Sequence, residues 1–379
     1  MQSTAWILLA LPFAVFLGYP ALVLGAAALR PPRYLPAQSP EPPSITILIC
    51  AHNEAATLGE KLASVARALA HWPGEAELLV ADDGSTDDTV TIAQAAGATV
   101  IAAPRGGKAA ALNRAIPQAR GEILVMTDAD PLFDDATLPA LLAPFADDQV
   151  GAVAGRVETL RTRRAGRFAA ADRLFRGYES RLRAAEDRLF GCVSADGGLY
   201  AIRRALVPHV VPDATDDFFI STAAVAAGYR IAFADDARVW EHSIAGGRQQ
   251  FRRRVRITVR GLTGLWRRRA LMNPWRTGWY APALVLHKVA RRLVPLALLP
   301  LWLLAGVLAL AGSAWWTLVF IALTATFAIG AAGALGMRLL GPLRVVHGAT
   351  LHLAGLALGT LLFVSGRRYA QWTPQKDAA

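Results

Sequence analysis

Long stretches without charge limit what this chain can fold into. Thr4 to Leu29, Leu293 to Ala311 and Gly312 to Met337 contain no charged residue, and Val345 to Gly366 contains only His347 and His352. Each is close to the ~20 residues that a membrane-crossing helix needs. Helices of a soluble core seldom run this far without a charge, so the spacing predicts membrane helices. One lies in 1–30 and three lie in 287–366, followed by a tail, 367–379. The first span lacks a basic segment before it, and its apolar run is too long for a cleaved signal peptide. Arg30 and Arg33 follow it, which places the next segment in the cytoplasm. With four full spans the chain would end outside, yet Arg367, Arg368 and Lys376 argue for inside. One re-entrant or interfacial C-terminal segment would reconcile the two.

The membrane segments account for the 54% hydrophobic content. Between them lie a proline-rich linker, 31–43, a cytoplasmic domain, 44–245, and a basic interfacial segment, 246–286. The net charge is +11, and arginine gathers in Arg156 to Arg188 and Arg248 to Arg269. Beside membrane spans, anionic lipid head groups are the simpler partner for these blocks, and no nucleic acid is called for. Cys50 and Cys192 are expected as free thiols in the cytoplasm, and neither belongs to a metal-ligand cluster.

Within the domain, short apolar runs alternate with helical spacing. Ile45 to Cys50, Glu77 to Ala81, Thr99 to Ala102 and Ile123 to Thr127 read as buried strands. Leu58 to Leu69, Asp87 to Ala96 and Lys108 to Gln118 read as helices, with Gly166 to Leu189 and Asp216 to Ala227 further on. Gly246 to Arg269 is basic and partly amphipathic, and is expected to lie against the inner membrane face. This alternation predicts an α/β domain with a mostly parallel sheet, whose ligands bind beyond the carboxyl ends of the strands. His52, Asp82, Asp83, Asp128 and Asp130 all fall at those ends.

Each polar run there has a chemical reading and a plainer one. Ala51-His52-Asn53-Glu54 can hold a base or ribose, or can cap the next helix through Asn53. Asp82 and Asp83, ahead of Gly84, can accept from ribose hydroxyls or a uracil edge, or form an Asx turn. Gly106-Gly107-Lys108 opens a helix where a phosphate could sit, although it is not a Walker loop. Asp128-Ala129-Asp130 turns two carboxylates toward one cleft, which suits a hard divalent cation that also takes diphosphate oxygens. Gly197 and Gly198 begin a turn and short strand that could form an acceptor wall. Asp216 and Asp217 open a helix; one can favour its dipole and the other can act as a general base. Gln250, Arg253 and Arg254 begin the basic segment. Arginine there matches diphosphate oxygens, though most of its arginines are expected to face lipid.

Taken together, these motifs resemble the membrane-bound family 2 glycosyltransferases, a group that includes cellulose, hyaluronan and chitin synthases and bacterial exopolysaccharide transferases. The resemblance covers the cytoplasmic domain and its flanking spans. It implies a nucleotide-diphospho-sugar transferase domain of GT-A-like fold and inverting transfer from a UDP-sugar with Mg²⁺ or Mn²⁺. The acceptor it implies is a lipid-linked or growing glycan at the cytoplasmic membrane face. In that pattern Ala51, Asn53, Glu54, Asp82 and Asp83 hold the nucleotide, and Lys108 lies near the diphosphate. Asp128 and Asp130 match the DxD motif, with Asp128 also on the nucleotide-sugar. Thr215-Asp216-Asp217 matches TED, with Asp217 as base. Gly197, Gly198, Asp216, Gln250, Arg253 and Arg254 fall on the acceptor and diphosphate side. One departure stands out: QxxRW of the processive synthases is matched by Gln250 and Arg253, but Arg254 replaces the tryptophan. Three C-terminal spans also leave little material for a polymer channel, so transfer of one or few sugars is expected. A membrane transport or scaffold protein with a nucleotide-binding domain is the competing class. Transporters place ionisable groups inside their spans, and here only two histidines are so placed.

Overall fold

The computed structural model describes residues 1–31, 41–160, 169–241 and 247–369. Most of the expected linker (32–40), the boundary at 245–246 and the end of the tail (370–379) lie outside the described residues.

Eight strands form one sheet: β1 Ile45–Ala51, β2 Ala76–Asp83, β3 Thr99–Ala103, β4 Ile123–Asp128, β5 Leu132–Phe133, β6 Val150–Thr159, β7 Tyr200–Arg203 and β8 Arg230–Glu241. Their order is β3-β2-β1-β4-β7-β6-β8-β5. Strands β3, β2, β1 and β4 are parallel. Beyond β4 the sheet becomes mixed: β7 runs antiparallel to both β4 and β6, β8 parallel to β6, and β5 antiparallel to β8. The parallel half is the part that the apolar runs predict. Strands β6 and β8, ten and twelve residues long, escape that reading because charged side chains break their apolar pattern.

Strand β1 shows how the layers form. Ile45, Ile47 and Ile49 pack toward helix Ala55–Leu69, against Leu58, Leu62 and Val65. Leu48 points to the opposite layer, against Leu112 of helix Lys108–Ala115. Both faces are covered, so the strand is apolar throughout. The register sets Ala51 beside Asp82 and Cys50 beside Asp128, which brings three strand ends level.

Among the described residues, four helices are long and apolar enough to cross a membrane: Gln2–Ala28, Tyr280–Leu310, Ala314–Ala334 and Pro342–Val364. The second begins earlier than its charge-free stretch, because Lys288, Arg291 and Arg292 belong to the same continuous helix. The first is also more than a span. Trp6 stacks on Trp315, at the tip of the Tyr280–Leu310 and Ala314–Ala334 hairpin. Tyr19, Val23 and Ala27 instead pack on Leu182 and Ala185 of helix Ala169–Leu189. A buried carboxylate fixes that junction. Glu186 Oε1 accepts from Tyr19 at 2.6 Å and lies 2.7 Å from His287 Nδ1. His287 Nε2 in turn lies 3.0 Å from Glu179, which also pairs with Arg291. Charged groups buried together need such mutual pairing to offset their desolvation.

Helix Gly247–Arg267 is anchored to the sheet domain through part of its basic face. Leu262 and Leu265 pack beside Phe218, and Arg260 is buried and donates to the Ala214 carbonyl from Nε at 3.1 Å. Arg267 pairs with Asp213 at 2.7 Å. These two arginines face the sheet domain, because the loop before Asp216 presents a carbonyl and a carboxylate to them.

Candidate active site

The first strand end supplies a turn that folds on itself. Asn53 has φ 54°, a left-handed conformation that asparagine tolerates. Its Oδ1 accepts from the Thr86 amide at 2.8 Å, and its own amide donates to Ser85 Oγ at 2.9 Å. Asn53 therefore does not cap helix Ala55–Leu69. That helix starts after Glu54, whose amide donates to Thr89 Oγ1, while the Ala55 amide donates to Asp87. Asp82 accepts from the Ser85 amide and hydroxyl at 3.1 and 2.5 Å. Asp83 Oδ1 accepts from the amides of Gly106 and Gly107 at 2.8 and 2.9 Å. The two glycine amides are thus turned toward Asp83 and brace the loop that leads to Lys108. Gly84 completes the arrangement: at φ +69° it passes so close to Arg105 that an added Cβ would lie 2.6 Å from that backbone nitrogen. Asp82 and Asp83 are 2 and 3% exposed.

Lys108 joins the acidic stations. Its Nζ lies 2.6 Å from Asp128 Oδ1 and 2.7 Å from Asp216 Oδ2. Gly197 sits between the other carboxylates: a Cβ there would be 3.4 Å from Asp128 Oδ2 and 4.0 Å from Asp217 Oδ2. Cys50, Lys108, Asp128, Gly197, Tyr200 and Asp216 line one small cavity. The Tyr200 hydroxyl is buried and makes no hydrogen bond among the described residues. A buried hydroxyl left unpaired costs about 1–3 kcal/mol, so it marks a place where a ligand atom would be accepted.

The acids titrate apart. Asp217 is pushed up to about 6 by burial first, then by Asp216 and Asp196, against the Phe218 amide that donates to it. Burial would raise Asp216 as well, but Lys108 and Arg260 outweigh it and hold that carboxyl below its usual range. Asp128 is raised by burial and by Asp216 and Asp130, despite Lys108.

Asp130 is exposed. Among the described residues no group of three or more histidine, cysteine or acidic side chains is placed to hold an ion. Two hard carboxylates remain, Asp128 and Asp130. That set fits a cation of the Mg²⁺ or Mn²⁺ kind, which keeps waters and takes its other ligands from substrate phosphates.

Several residues of the site were not among those picked out in the sequence. Lys61, from helix Ala55–Leu69, is 0% exposed beneath the Asp128-Ala129-Asp130 turn. Its Nζ donates to Thr127 Oγ1 at 2.9 Å and to the Pro131 carbonyl at 2.5 Å, and lies 4.0 Å from the Phe133 ring centre. Thr127 passes the contact on by donating to the Gly198 carbonyl at 2.7 Å. Asp196 is crowded by basic groups: burial would raise it, but Arg183, Arg176, Lys288 and Arg253 hold it below its usual range. Glu241 is pushed up to about 7, by burial first, while Arg176 donates to it at 2.7 Å. A lysine on an apolar helix face and acids far apart in sequence give no local signal.

The basic run at the start of helix Gly247–Arg267 divides. Arg253 lies within the electrostatic reach of Asp196 and Glu241. The stem of Arg254, expected on the acceptor side, lies against Gly355 of helix Pro342–Val364. Gln250 is half-buried in the same first turns.

Known proteins agree with this geometry. Residues 46–202 match the model of glycosyl transferase family 2. A solved mannosyltransferase from Pyrobaculum calidifontis, in complex with GDP-Man and Mn²⁺, superposes with a TM-score of 0.69 at 26% identity, covering 96% of this chain and 99% of that one. A beta-monoglucosyldiacylglycerol synthase of Nostoc is 33% identical over 138 residues, 34% of this chain and 29% of that one. An uncharacterized glycosyltransferase of Mycobacterium tuberculosis is 34% identical over 113 residues, 30% of this chain and 48% of the relative. The chain spans about half or less of the length of these curated relatives. The mixed sheet is a GT-A-like fold. Residues 46–202 are thus similar to the family 2 glycosyltransferases, and among the described residues they stand beside helices long and apolar enough to cross a membrane.

Proposed function

We propose that the protein is an inverting glycosyltransferase that moves a sugar from a nucleotide-diphospho-sugar to a lipid-linked acceptor at the cytoplasmic membrane face. The observation that carries this reading is the convergence of Lys108, Asp128, Asp216 and Asp217 around Gly197, beside the unpaired Tyr200 hydroxyl. Asp217 takes the proton of the acceptor hydroxyl, and its raised pKa suits a base that works near neutrality. The acceptor oxygen attacks the anomeric carbon from the face opposite the nucleoside diphosphate, which inverts that centre. Lys108 turns from its carboxylates to the departing phosphate oxygens, where a fixed cation stabilises developing charge. Asp128 and Asp130 would hold a divalent ion, which when bound supplies Lewis-acid neutralisation of the diphosphate. Asn53, Glu54, Asp82 and Asp83 frame the nucleoside.

The acceptor side is basic. Among the described residues, Arg253, Arg256 and Lys288 make no ion pair through their side chains, although each stands near the domain's acids or other arginines. Unpaired cations at the junction with the spans suit the anionic head of a lipid acceptor. The diacylglycerol-based product named for the Nostoc relative is in line with a lipid acceptor. A UDP-sugar is the first donor to try. The GDP-Man of the Pyrobaculum structure makes GDP-sugars the second. The test is nucleoside diphosphate release by the purified protein from UDP- and GDP-sugars, with and without Mn²⁺, in the presence of a lipid extract. Mass spectrometry then identifies the product. Nucleotide binding without release from any donor would favour the transport or scaffold class instead.

A further inference from the structure

Helix Pro342–Val364 has the length and hydropathy of a span, but its contacts run the wrong way for one. Helices Tyr280–Leu310 and Ala314–Ala334 form an antiparallel hairpin that works as a depth gauge. Trp302 Nε1 donates to Thr324 and Gly306 faces Phe320, so the register sets Arg292 level with Ala334. From Arg292 to Ala311 the helix rises about 29 Å, close to the ~30 Å of a hydrocarbon core. The Arg292 level also carries Lys288, Arg291 and the paired Glu179, charged groups that belong at the edge of that core.

Helix Pro342–Val364 touches the gauge at three points. His347 lies on Gly333 and Thr350 on Gly330, where added Cβ atoms would come within 2.3 and 2.4 Å. Thr360 Oγ1 donates to the Arg292 carbonyl at 3.0 Å. From His347 to Thr360 the helix advances about 20 Å along its axis. On the gauge those contacts stay within about 6 Å of one level. A crossing helix would change depth as it advances, whereas this one runs sideways at the charged edge.

Its two faces fit that course. Gly355 and Gly359 seat helix Gly247–Arg267: added Cβ atoms would stand 3.0 Å from Arg254 Cγ and 2.6 Å from Thr258 Cβ. Small residues four apart let two helices approach this closely. About a third of the way round the helix, Ala354, Leu358 and Leu361 form an exposed apolar stripe. Arg344 stands in the first turn, and Arg367 and Arg368 follow the last.

We propose that Pro342–Val364 lies in the plane of the cytoplasmic leaflet, with Ala354, Leu358 and Leu361 against the acyl chains and helix Gly247–Arg267 on its water side. Three helices then cross the bilayer, and the residues after Val364 return to the side of the catalytic domain. The partner of this surface is the lipid bilayer itself. Through Arg260 and the Ala214 carbonyl, the same pair of helices supports the loop before Asp216, which places the candidate base next to the leaflet. The proposal concerns position alone, so it stands whether or not the chain transfers a sugar.

Two measurements on the full chain test it. In the first, a protease-sensitive epitope is placed after Ala379. It should be lost completely on adding protease to inside-out vesicles and survive in sealed right-side-out spheroplasts; the reverse pattern overturns the proposal. In the second, single cysteines at Leu343, Ala354 and Leu361 carry a fluorophore in vesicles holding nitroxide lipids of graded depth, with the unsubstituted protein as blank. Because Leu343, Ala354 and Leu361 share one face of the helix, equal, shallow depths are expected at all three. Quenching deepest at Ala354, with Leu343 and Leu361 shallow in opposite leaflets, would establish a fourth span and overturn it.

Discussion

The two halves of the catalytic cleft are built by different means. On the parallel side, Asp82, Asp83 and Asn53 are bound by partners a few residues away or on an adjoining loop: Ser85, Gly106 and Gly107, and Thr86. On the mixed side, Asp196 and Glu241 are surrounded by arginines and lysines from other helices, among them Arg176, Arg183 and Lys288. Backbone amides leave the parallel half one way to fold, and it offers a fixed frame to a nucleotide common to many donors. Long cationic side chains leave the mixed half adjustable, which suits acceptors that differ. Lys108 spans the boundary, with one contact on each side.

This contrast is broken most severely at Asp217. Asp217→Asn keeps shape and hydrogen bonding but removes the proton acceptor. Transfer should fall by about 10²–10⁴-fold, while donor affinity, measured by calorimetry without acceptor, stays as it was. Unchanged transfer would remove Asp217 from the chemistry and shift attention to Glu241. Lys108→Met comes next, with a loss of about a hundredfold. Because Asp128 and Asp216 would then face each other with no cation, the variant should also bind donor more weakly and lose more stability in the absence of Mn²⁺ than in its presence. An effect on the acceptor KM alone would contradict its place at the boundary.

The pH profile sharpens the comparison without a mutation. Asp217 must be unprotonated to act, and burial with Asp216 and Asp196 brings its pKa to about 6. Below that pH, kcat/KM should fall about tenfold for each unit, and it should level off above it. Donor binding should not follow this limb, because Asp216, next in sequence, is held ionised well below it by Lys108. A profile flat from pH 5 to 8 would show that another group takes the proton.

How far the sequence foretold the site follows the same division. The strands of the parallel half are continuous apolar runs ending in acids, so β1, β2, β3 and β4 and the stations at Asp82, Asp83 and Asp128 could be read directly. Strands β6 and β8 interleave Arg156, Glu158, Asp235 and Asp236 with their apolar residues, and no period-two pattern survives. Asp196 and Glu241 look like ordinary surface acids until Gly198 brings Glu241 within 2.7 Å of where its Cβ would be. The spans were visible as charge gaps, but a charge gap carries no direction, and only the contacts at Gly333, Gly330 and Arg292 reveal which way the last helix runs.

Lys61 is where the two halves are joined out of sight of substrate, and it gives the smallest effect. Its ammonium holds the Pro131 carbonyl, just past Asp130, and through Thr127 it holds the Gly198 carbonyl, next to Gly197. One buried cation therefore sets the spacing between the acid pair and the glycine turn. Lys61→Met fills the same volume without either bond. Burial already costs the ammonium much of what its contacts return, as its lowered pKa of about 7 reflects, so the net loss is mainly the unpaired Pro131 carbonyl and the melting temperature should fall by only a few degrees. The acid pair and the turn should instead lose their mutual position. The expected result is a drop in kcat of about tenfold, the scale of a misplacement near but not at the reacting atoms, together with a higher Mn²⁺ concentration for half-maximal rate and an unchanged donor KM. Equal Mn²⁺ dependence in the variant and the wild type would show that Lys61 merely fills space, and the two halves would then be positioned by Lys108 alone.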